Sequence, residues 1–439
     1  MALDSIKSML GVVPQWMKYP LLFMPFELIC GKAYRDTLRT IEKYSVLNES
    51  QKKEFFDERL VLRLNDAINF VPFYRSFARD NGFSRITSPE EIKKFPIISK
   101  SELLTGLDLF VDERLRGRYF AASTGGTTGK QTKLYISNEC FSKEWAYVNS
   151  LLASHGIDPN SKRISLRGVS GIQSGELIGY NYIYKELLLS PFKLSESSVL
   201  NNIKQLIDFK AKWIHGYPSS VSSFARILKN LGLRIPNIRG VLLVSETLYA
   251  DQRLLIEEVF GSNIVSFYGM SERAVFATMA RDGTFDVDCT YGCMENVDGE
   301  AVCTGFINRA TSLLRYRTGD LIESAPSDLF VTKVKKFNGR WGREYLTGRS
   351  GCQITMTALN THSVELDNLD SYQFVQSEIG IVNLNVKSKN KLTSSELEKI
   401  SSIFQSKVGN ELEFVCQQVD EILLTSRGKH VFIVNNIQI

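Results

Sequence analysis

Apolar residues recur at three- and four-residue spacing through the first 80 positions, the signature of amphipathic helices. The stretch "NESQKKEFFDERLVLRLNDAINFV" opens on Asn48, whose side-chain oxygen can cap a helix N-terminus, and then lines up Phe, Leu and Ile on one face. "SPEEIKKF" (88–95) predicts a short helix with Ser88 as cap, Pro89 at its first position and glutamates in its first turn. "YFAAS" and "TKLYIS" predict strands on either side of a glycine-rich stretch. Beyond residue 200 the pattern alternates. "NNIKQLIDFKA", "PSSVSSFARILKNLG" and "LYADQRLLIEEVFG" predict helices, whereas "KWIHGY", "RGVLLVSE" and "SNIVSFYG" predict strands. The near-continuous apolar run of "RGVLLVSE" predicts a strand buried on both faces. Strands alternating with helices define an α/β fold with helix-flanked, mostly parallel sheets. Short strands and turns follow from about 284 to 335. From about 350, "SYQFVQSEIGIVNLNVKS", "TSSELEKISSIFQSKVG", "EFVCQQV" and "KHVFIV" predict a small α+β second domain.

At 439 residues the chain exceeds one core of usual size, so two or more domains are expected. With 43% apolar and 23% charged residues its composition is that of a globular protein. A net charge of +5 without a Lys/Arg block argues against a nucleic-acid groove, yet does not oppose anionic ligands. The seven cysteines are scattered, which fits free thiols in a reducing, cytoplasmic setting. Cys289, Cys293 and Cys303 cluster loosely but match no zinc spacing, and they read as buried thiols. No secretory pattern is read at the N-terminus. The apolar "YPLLFMPFELIC" (19–30) is shorter than the roughly 20 residues of a membrane span. It predicts a core or docking segment, with weak contact to a membrane surface as the alternative.

Candidate chemistry begins at "AASTGGTTGK" (121–130). A Walker loop needs glycine five residues before the glycine of Gly-Lys, and Ser or Thr after the lysine. Thr124 and Gln131 occupy those positions, so a P-loop NTPase is disfavoured. The composition still suits phosphate. Gly125, Gly126 and Gly129 let backbone N–H groups turn inward, Ser123, Thr124, Thr127 and Thr128 add hydroxyl donors, and Lys130 adds charge.

This loop resembles the phosphate loop of the adenylate-forming enzymes, the superfamily of acyl-CoA ligases, peptide-synthetase adenylation domains and luciferases. Further resemblances follow in that family's order. "FYGMSE" (267–272) is similar to its aromatic-Tyr-Gly-x-Thr-Glu motif, which implies that Phe267, Tyr268, Gly269 and Met270 lie against adenine. It also implies Ser271 near the α-phosphate and carboxylate, and Glu272 on Mg²⁺. "RYRTGDL" (315–321) resembles the motif whose aspartate, here Asp320, accepts from the ribose hydroxyls. "TGR" (347–349) resembles the Gly-Arg of the domain hinge, with Arg349 near ribose, although Gly351 replaces the usual aspartate. "LLVSETL" (242–248) resembles the segment lining the adenine pocket, which assigns Ser245, Glu246 and Thr247 there. "WIHGYPSSV" (213–221) resembles a strand near the acyl group, which makes His215 a neighbour of the carboxylate or a buried core histidine. "SRGKHVF" (426–432) resembles the C-terminal motif whose lysine, here Lys429, enters the site during adenylation. Within the superfamily the chain looks like the phenylacetate-CoA ligase and coenzyme F390 synthetase branch, and most like its CapK-like capsular polysaccharide biosynthesis members.

The resemblance implies a large N-terminal domain (1–348) that includes a small distorted β-barrel. A small mobile lid domain (349–439) would carry the catalytic lysine. It implies ATP and Mg²⁺ as cofactors, a small-molecule carboxylate as substrate, and CoA or an amine as acceptor. The acid would attack the α-phosphate, pyrophosphate would leave, and the acyl-adenylate would pass its acyl group on. A non-catalytic nucleotide-binding scaffold in polysaccharide assembly stands as the alternative.

Overall fold

The computed structural model describes residues 15–124, 132–168, 172, 176–261, 263–325, 329–338, 345–359, 363–367, 369–423 and 432–437. A 3₁₀ turn, Gln15–Phe23, leads into α1 (Phe26–Ser45), α2 (Glu49–Phe70) and α3 (Pro72–Asp80). The expected cap on α2 is present: Asn48 Oδ1 accepts from the Gln51 N–H at 3.0 Å, and Gln51 Oε1 accepts from the Asn48 N–H at 3.1 Å. The apolar stretch 19–30 is only half a core segment. Leu22, Phe26, Ile29 and Cys30 are buried, while Tyr19, Phe23, Met24 and Leu28 are exposed. "SPEEIKKF" forms a 3₁₀ helix, Pro89–Lys94, rather than an α-helix, with the Ser88–Glu91 capping box intact. Six residues are too few to favour an i→i−4 ladder over the tighter turn.

Strands β1 (Tyr119–Thr124) and β2 (Thr132–Ser137) pair antiparallel, from Tyr119↔Ser137 to Thr124↔Thr132, so the glycine stretch does connect two strands. Then come β3 (Arg163–Leu166), β4 (Ile178–Asn181), β5 (Glu186–Leu189), β6 (Trp213–Gly216), β7 (Gly240–Leu243) and β8 (Asn263–Gly269). The antiparallel set follows with β9 (Phe276–Met279), β10 (Phe285–Val287), β11 (Gly292–Val297), β12 (Glu300–Gly305), β13 (Tyr316–Ser324) and β14 (Lys333–Asn338). The chain closes with β15 (Tyr345–Thr347), β16 (Gln353–Thr355), β17 (Ser371–Glu378), β18 (Ile381–Lys387), β19 (Glu413–Gln418) and β20 (Ile433–Asn435).

The chain forms two compact units, one drawing on the spans 1–124, 132–154 and 266–340, the other on 155–265 and 341–439. In the first, strands run in the order β11-β12-β13-β14-β10-β9-β8, every pair antiparallel. Short turns join most of these strands, and a short turn can only return the chain antiparallel. Irregularities at Glu300/Val302 and Glu323/Ser324 bend this sheet.

In the second unit β3, β5, β6 and β7 are parallel, and β4 adds an antiparallel edge. Ile164, Leu166, Leu187, Leu189, Ile214 and Val241 point to one face. Helices Glu196–Asp208, Pro218–Asn230 and Ala250–Phe260 cover it with Val199, Leu206, Val221, Phe224, Leu228 and Ile256. A four-stranded sheet, β19-β18-β17-β20, packs separately on the helix Ser394–Val408. Phe404 is fully buried there against Phe374 (5.0 Å, 90°) and Phe414 (5.9 Å). Phe404→Ala is expected to cost about 3–5 kcal/mol, because the rigid aromatic cluster cannot collapse onto the void. Urea unfolding followed by near-UV circular dichroism checks this.

Candidate active site

Of the seven motif segments, five can be placed in full; Gly125–Lys130 of the glycine stretch and the residues around Lys429 lie outside the described residues. Ser123 and Thr124 end β1, next to that loop.

In the antiparallel unit, β8 ends at Gly269 and carries Phe267 and Tyr268. Phe267 stacks on Phe276 (4.4 Å, 28°) and Tyr268 on Phe337 (3.7 Å, 8°), so both rings are fixed by strand-to-strand contacts. The Tyr268 hydroxyl donates to Asp320 Oδ2 at 2.7 Å. Burial first, and then the Asp320 charge, push the Tyr268 phenol well above its ordinary value, so it stays a donor. The Tyr316 hydroxyl donates to Glu272 Oε1 at 3.1 Å. Two hydrogen bonds therefore join "FYGMSE" to "RYRTGDL", segments 52 and 44 residues apart at these contacts. Met270 packs on the sheet core, Ser271 is exposed, and Glu272 is half-buried.

Neighbouring charges hold these segments in place. Arg315 grips Glu295 with two bonds (3.0 and 2.9 Å) and donates to the Phe95 carbonyl at 2.9 Å, anchoring the start of β13. Glu300 accepts from Arg317 Nη1 at 2.9 Å and from the Gly319 N–H at 2.6 Å, fixing the backbone before Asp320. The Asp320 N–H donates to Thr318 Oγ1 at 3.1 Å. Arg273, directly after Glu272, forms a buried ion pair with Glu144.

In the parallel unit, His215 is buried on β6 with Ser165 and Leu242 as register partners, and its ring stacks on Trp213 (5.8 Å, 26°). Burial, then Arg167 and Arg163, hold its pKa well below 6.5, so the ring is neutral. Ser245, just past β7, is exposed and has φ 68°, a left-handed backbone that serine seldom adopts. Glu246 accepts from the Ser219 N–H at 3.1 Å and from Thr355 Oγ1 at 2.5 Å. It thus ties β7 to a helix N-terminus and to β16, while Thr247 is exposed. Arg349 follows β15, pairs with Glu413 at 2.8 Å, and runs close over Gly380, where a Cβ would meet its Cγ at 2.3 Å. Gly351 has φ 80° with open space around it, so an aspartate here would meet backbone strain rather than a clash.

Sequence reading missed Tyr316, Phe337, Thr355 and the Arg163–Glu186–Arg167 group. Only the last left a signal, the two-residue alternation of "RISLR" (163–167). Cys293 and Cys303 lie on the paired strands β11 and β12, and burial raises both thiols well above their ordinary value. Among the described residues, no group of three or more His, Cys, Asp or Glu side chains could hold a metal ion.

Because the folded state keeps His215 neutral and the unfolded chain protonates it near 6.5, unfolding takes up a proton at lower pH. Its contribution is intact above pH 6.5 and falls as the pH drops, by about 1.4 kcal/mol per unit. His215→Phe is expected to flatten the pH 7.5–5.5 stability profile, measured by urea midpoints at about half-unit steps.

Residues 346–436 match the CapK C-terminal domain family. A Protein CapK of Staphylococcus aureus is 26% identical over 428 residues, covering 93% of both chains. A phenylacetate-coenzyme A ligase of Pseudomonas putida is 25% identical over 392 residues, covering 83% of this chain and 82% of its own. The fold is also that of a 2-hydroxyisobutyryl-CoA ligase crystallised with 2-HIB-AMP and CoA in the thioesterification state. That likeness has a TM-score of 0.54 and 16% identity, over 89% of this chain and 91% of that one. With ordered motifs and near full-length likeness to both kinds of relative, the chain is similar to CapK and to phenylacetate-coenzyme A ligases and shares the fold of a 2-hydroxyisobutyryl-CoA ligase.

Proposed function

We propose that this protein activates a small carboxylic acid with ATP, releases pyrophosphate, and passes the acyl group to CoA or to an amine. The observation that carries this reading is the pair of contacts Tyr268–Asp320 and Tyr316–Glu272. They bring the Tyr268 ring and the Asp320 and Glu272 carboxylates into one patch, a set that suits a base, a diol and a hard cation. Asp320 would accept from the ribose and Tyr268 would carry adenine on its ring, with Ser271 toward the α-phosphate. The 123–130 loop would hold the leaving pyrophosphate.

A magnesium ion suits this patch. Glu272 supplies one hard oxygen ligand, and Mg²⁺ commonly takes one or two carboxylates and completes its shell with phosphate oxygens and water. The ion would neutralise phosphate charge as the two anions approach. The barrier is their repulsion and the charge that builds at phosphorus, so positioning and electrostatics supply the catalysis. Lys429 would bridge carboxylate and α-phosphate. The match of 346–436 to a separate family supports a lid domain at 349–439 that carries this lysine and turns between the two half-reactions. The CapK likeness is in keeping with a role in capsular polysaccharide biosynthesis, and the free cysteines among the described residues suit a reducing, cytoplasmic setting. No helix among the described residues is long and apolar enough to cross a membrane.

ATP–pyrophosphate exchange over a panel of carboxylates tests the reading; absence of exchange with every acid would favour a nucleotide-binding scaffold. Lys429→Ala should lower exchange by roughly 10²-fold or more while keeping transfer from preformed acyl-adenylate. Normal adenylation by that variant would remove the lysine from its role. Asp320→Ala should raise the KM for ATP by about 10- to 100-fold, the worth of a charge-assisted hydrogen bond. An unchanged ATP dependence would place ribose elsewhere.

A further inference from the structure

Glutamine is a costly residue to bury, because both the amino group and the carbonyl oxygen of its amide need partners. Strand β17 buries two of them completely, Gln373 and Gln376, at the two ends of "QFVQ". Each directs its amide to the backbone of a single residue in another segment. Gln376 Oε1 accepts from the Thr347 N–H at 2.6 Å, and Gln376 Nε2 donates to the Thr347 carbonyl at 2.8 Å. Gln373 Oε1 accepts from the Leu423 N–H at 3.3 Å, and Gln373 Nε2 donates to the Leu423 carbonyl at 3.0 Å. A side-chain amide carries donor and acceptor side by side, so it copies the pairing that a neighbouring strand would offer. All four residues lie in one compact unit.

The two ties differ in what else holds the segment. Thr347 belongs to a paired strand, β15, and its neighbour Leu346 is buried in the core. Leu423 follows β19, whose ladder ends where the Val419 N–H donates to the Val386 carbonyl at 2.9 Å. Past that point Ile422 is half-buried and Leu423 is 59% exposed, so little apolar packing fixes the chain. Among the described residues 420–423, the hydrogen bonds are the two to Gln373. The chain rejoins the sheet at Phe432. Its carbonyl accepts from the Phe374 N–H at 2.7 Å, and its buried ring packs on Tyr372 (5.4 Å, 70°). Adjacent residues of β17 thus hold the chain on both sides of Lys429, which comes six residues after Leu423 and three before Phe432. Core burial secures the Phe432 side; the polar tie on the Leu423 side is one amide.

We propose that Gln373 is a positioning residue for Lys429: its amide fixes the backbone at Leu423, the side of the lysine segment that core packing leaves unsecured. From Phe432 alone, three residues of chain give Lys429 a radius of roughly 10 Å. A misplacement of about 1 Å can already cost about 10²-fold in rate, so a second anchor is needed to narrow that range. This inference rests on the carboxylate-activating reading above, which gives Lys429 its role.

Gln373→Met tests this, since it nearly keeps the side-chain volume and removes both hydrogen bonds. The variant should lower kcat for ATP–pyrophosphate exchange by roughly 10-fold, keep transfer from preformed acyl-adenylate at the wild-type rate, and add nothing once Lys429→Ala is present. Exchange at the wild-type rate, loss of both half-reactions together, or full additivity with Lys429→Ala overturns the proposal. A second measurement needs no turnover. In brief trypsin digestion of the folded protein, read by mass spectrometry, cleavage after Arg427 and Lys429 should rise by roughly 10-fold in Gln373→Met and stay at the wild-type rate in Gln376→Met. An unchanged rate in Gln373→Met, or an equal rise in both variants, overturns the anchor. If wild type exchanged with no acid, the carboxylate-activating reading would fall by itself. Faster cleavage confined to Gln373→Met would then uphold Gln373 as the tie beside Lys429, and its absence would sink it.

Discussion

Burial of one face of the β3–β5–β6–β7 sheet is the constraint on which the parallel unit depends. Strand side chains alternate, so sending Ile164, Leu166, Leu187, Leu189 and Ile214 into the core under three helices leaves their neighbours no choice of side. Arg163, Glu186 and His215 are thereby committed to the opposite face, and all three are buried. A buried arginine without a partner would be severely costly, so the Glu186 contact is as much a condition of the fold as the apolar packing.

The antiparallel unit solves a different problem, that of holding distant segments at hydrogen-bond distance. Its cross-strand stacks, Phe267 on Phe276 and Tyr268 on Phe337, fix ring planes. Buried or half-buried ion pairs, Arg315–Glu295 and Arg317–Glu300, fix the backbone around Asp320. Such preorganisation keeps donors and acceptors aimed before a ligand arrives, so little reorganisation is left for the moment of reaction.

Chain order carried much of this protein. Alternation of period two and periodicity near 3.6 located the strands and helices, and the caps at Asn48 and Ser88 are where composition put them. Failed Walker spacing at Thr124 and Gln131, with the ordered companions at Glu272, Asp320 and Lys429, pointed to adenylate chemistry. These signals are local or repeat at short intervals, so one sequence suffices to read them.

What the tertiary structure decided is pairing. Nothing along the chain couples Tyr268 to Asp320, Tyr316 to Glu272, or Phe337 to the Tyr268 ring, because strand register brings them together across intervening turns. Sequence likewise left His215 open between a core residue and a neighbour of the substrate. Burial beside two arginines makes it a neutral ring on a charged face. Nor could the sequence show that the Glu246 oxygens join Ser219 and Thr355. The physical reason is the same in each case: local pattern reports which side chains prefer burial, but charge balance and hydrogen-bond partners exist only once distant strands lie side by side.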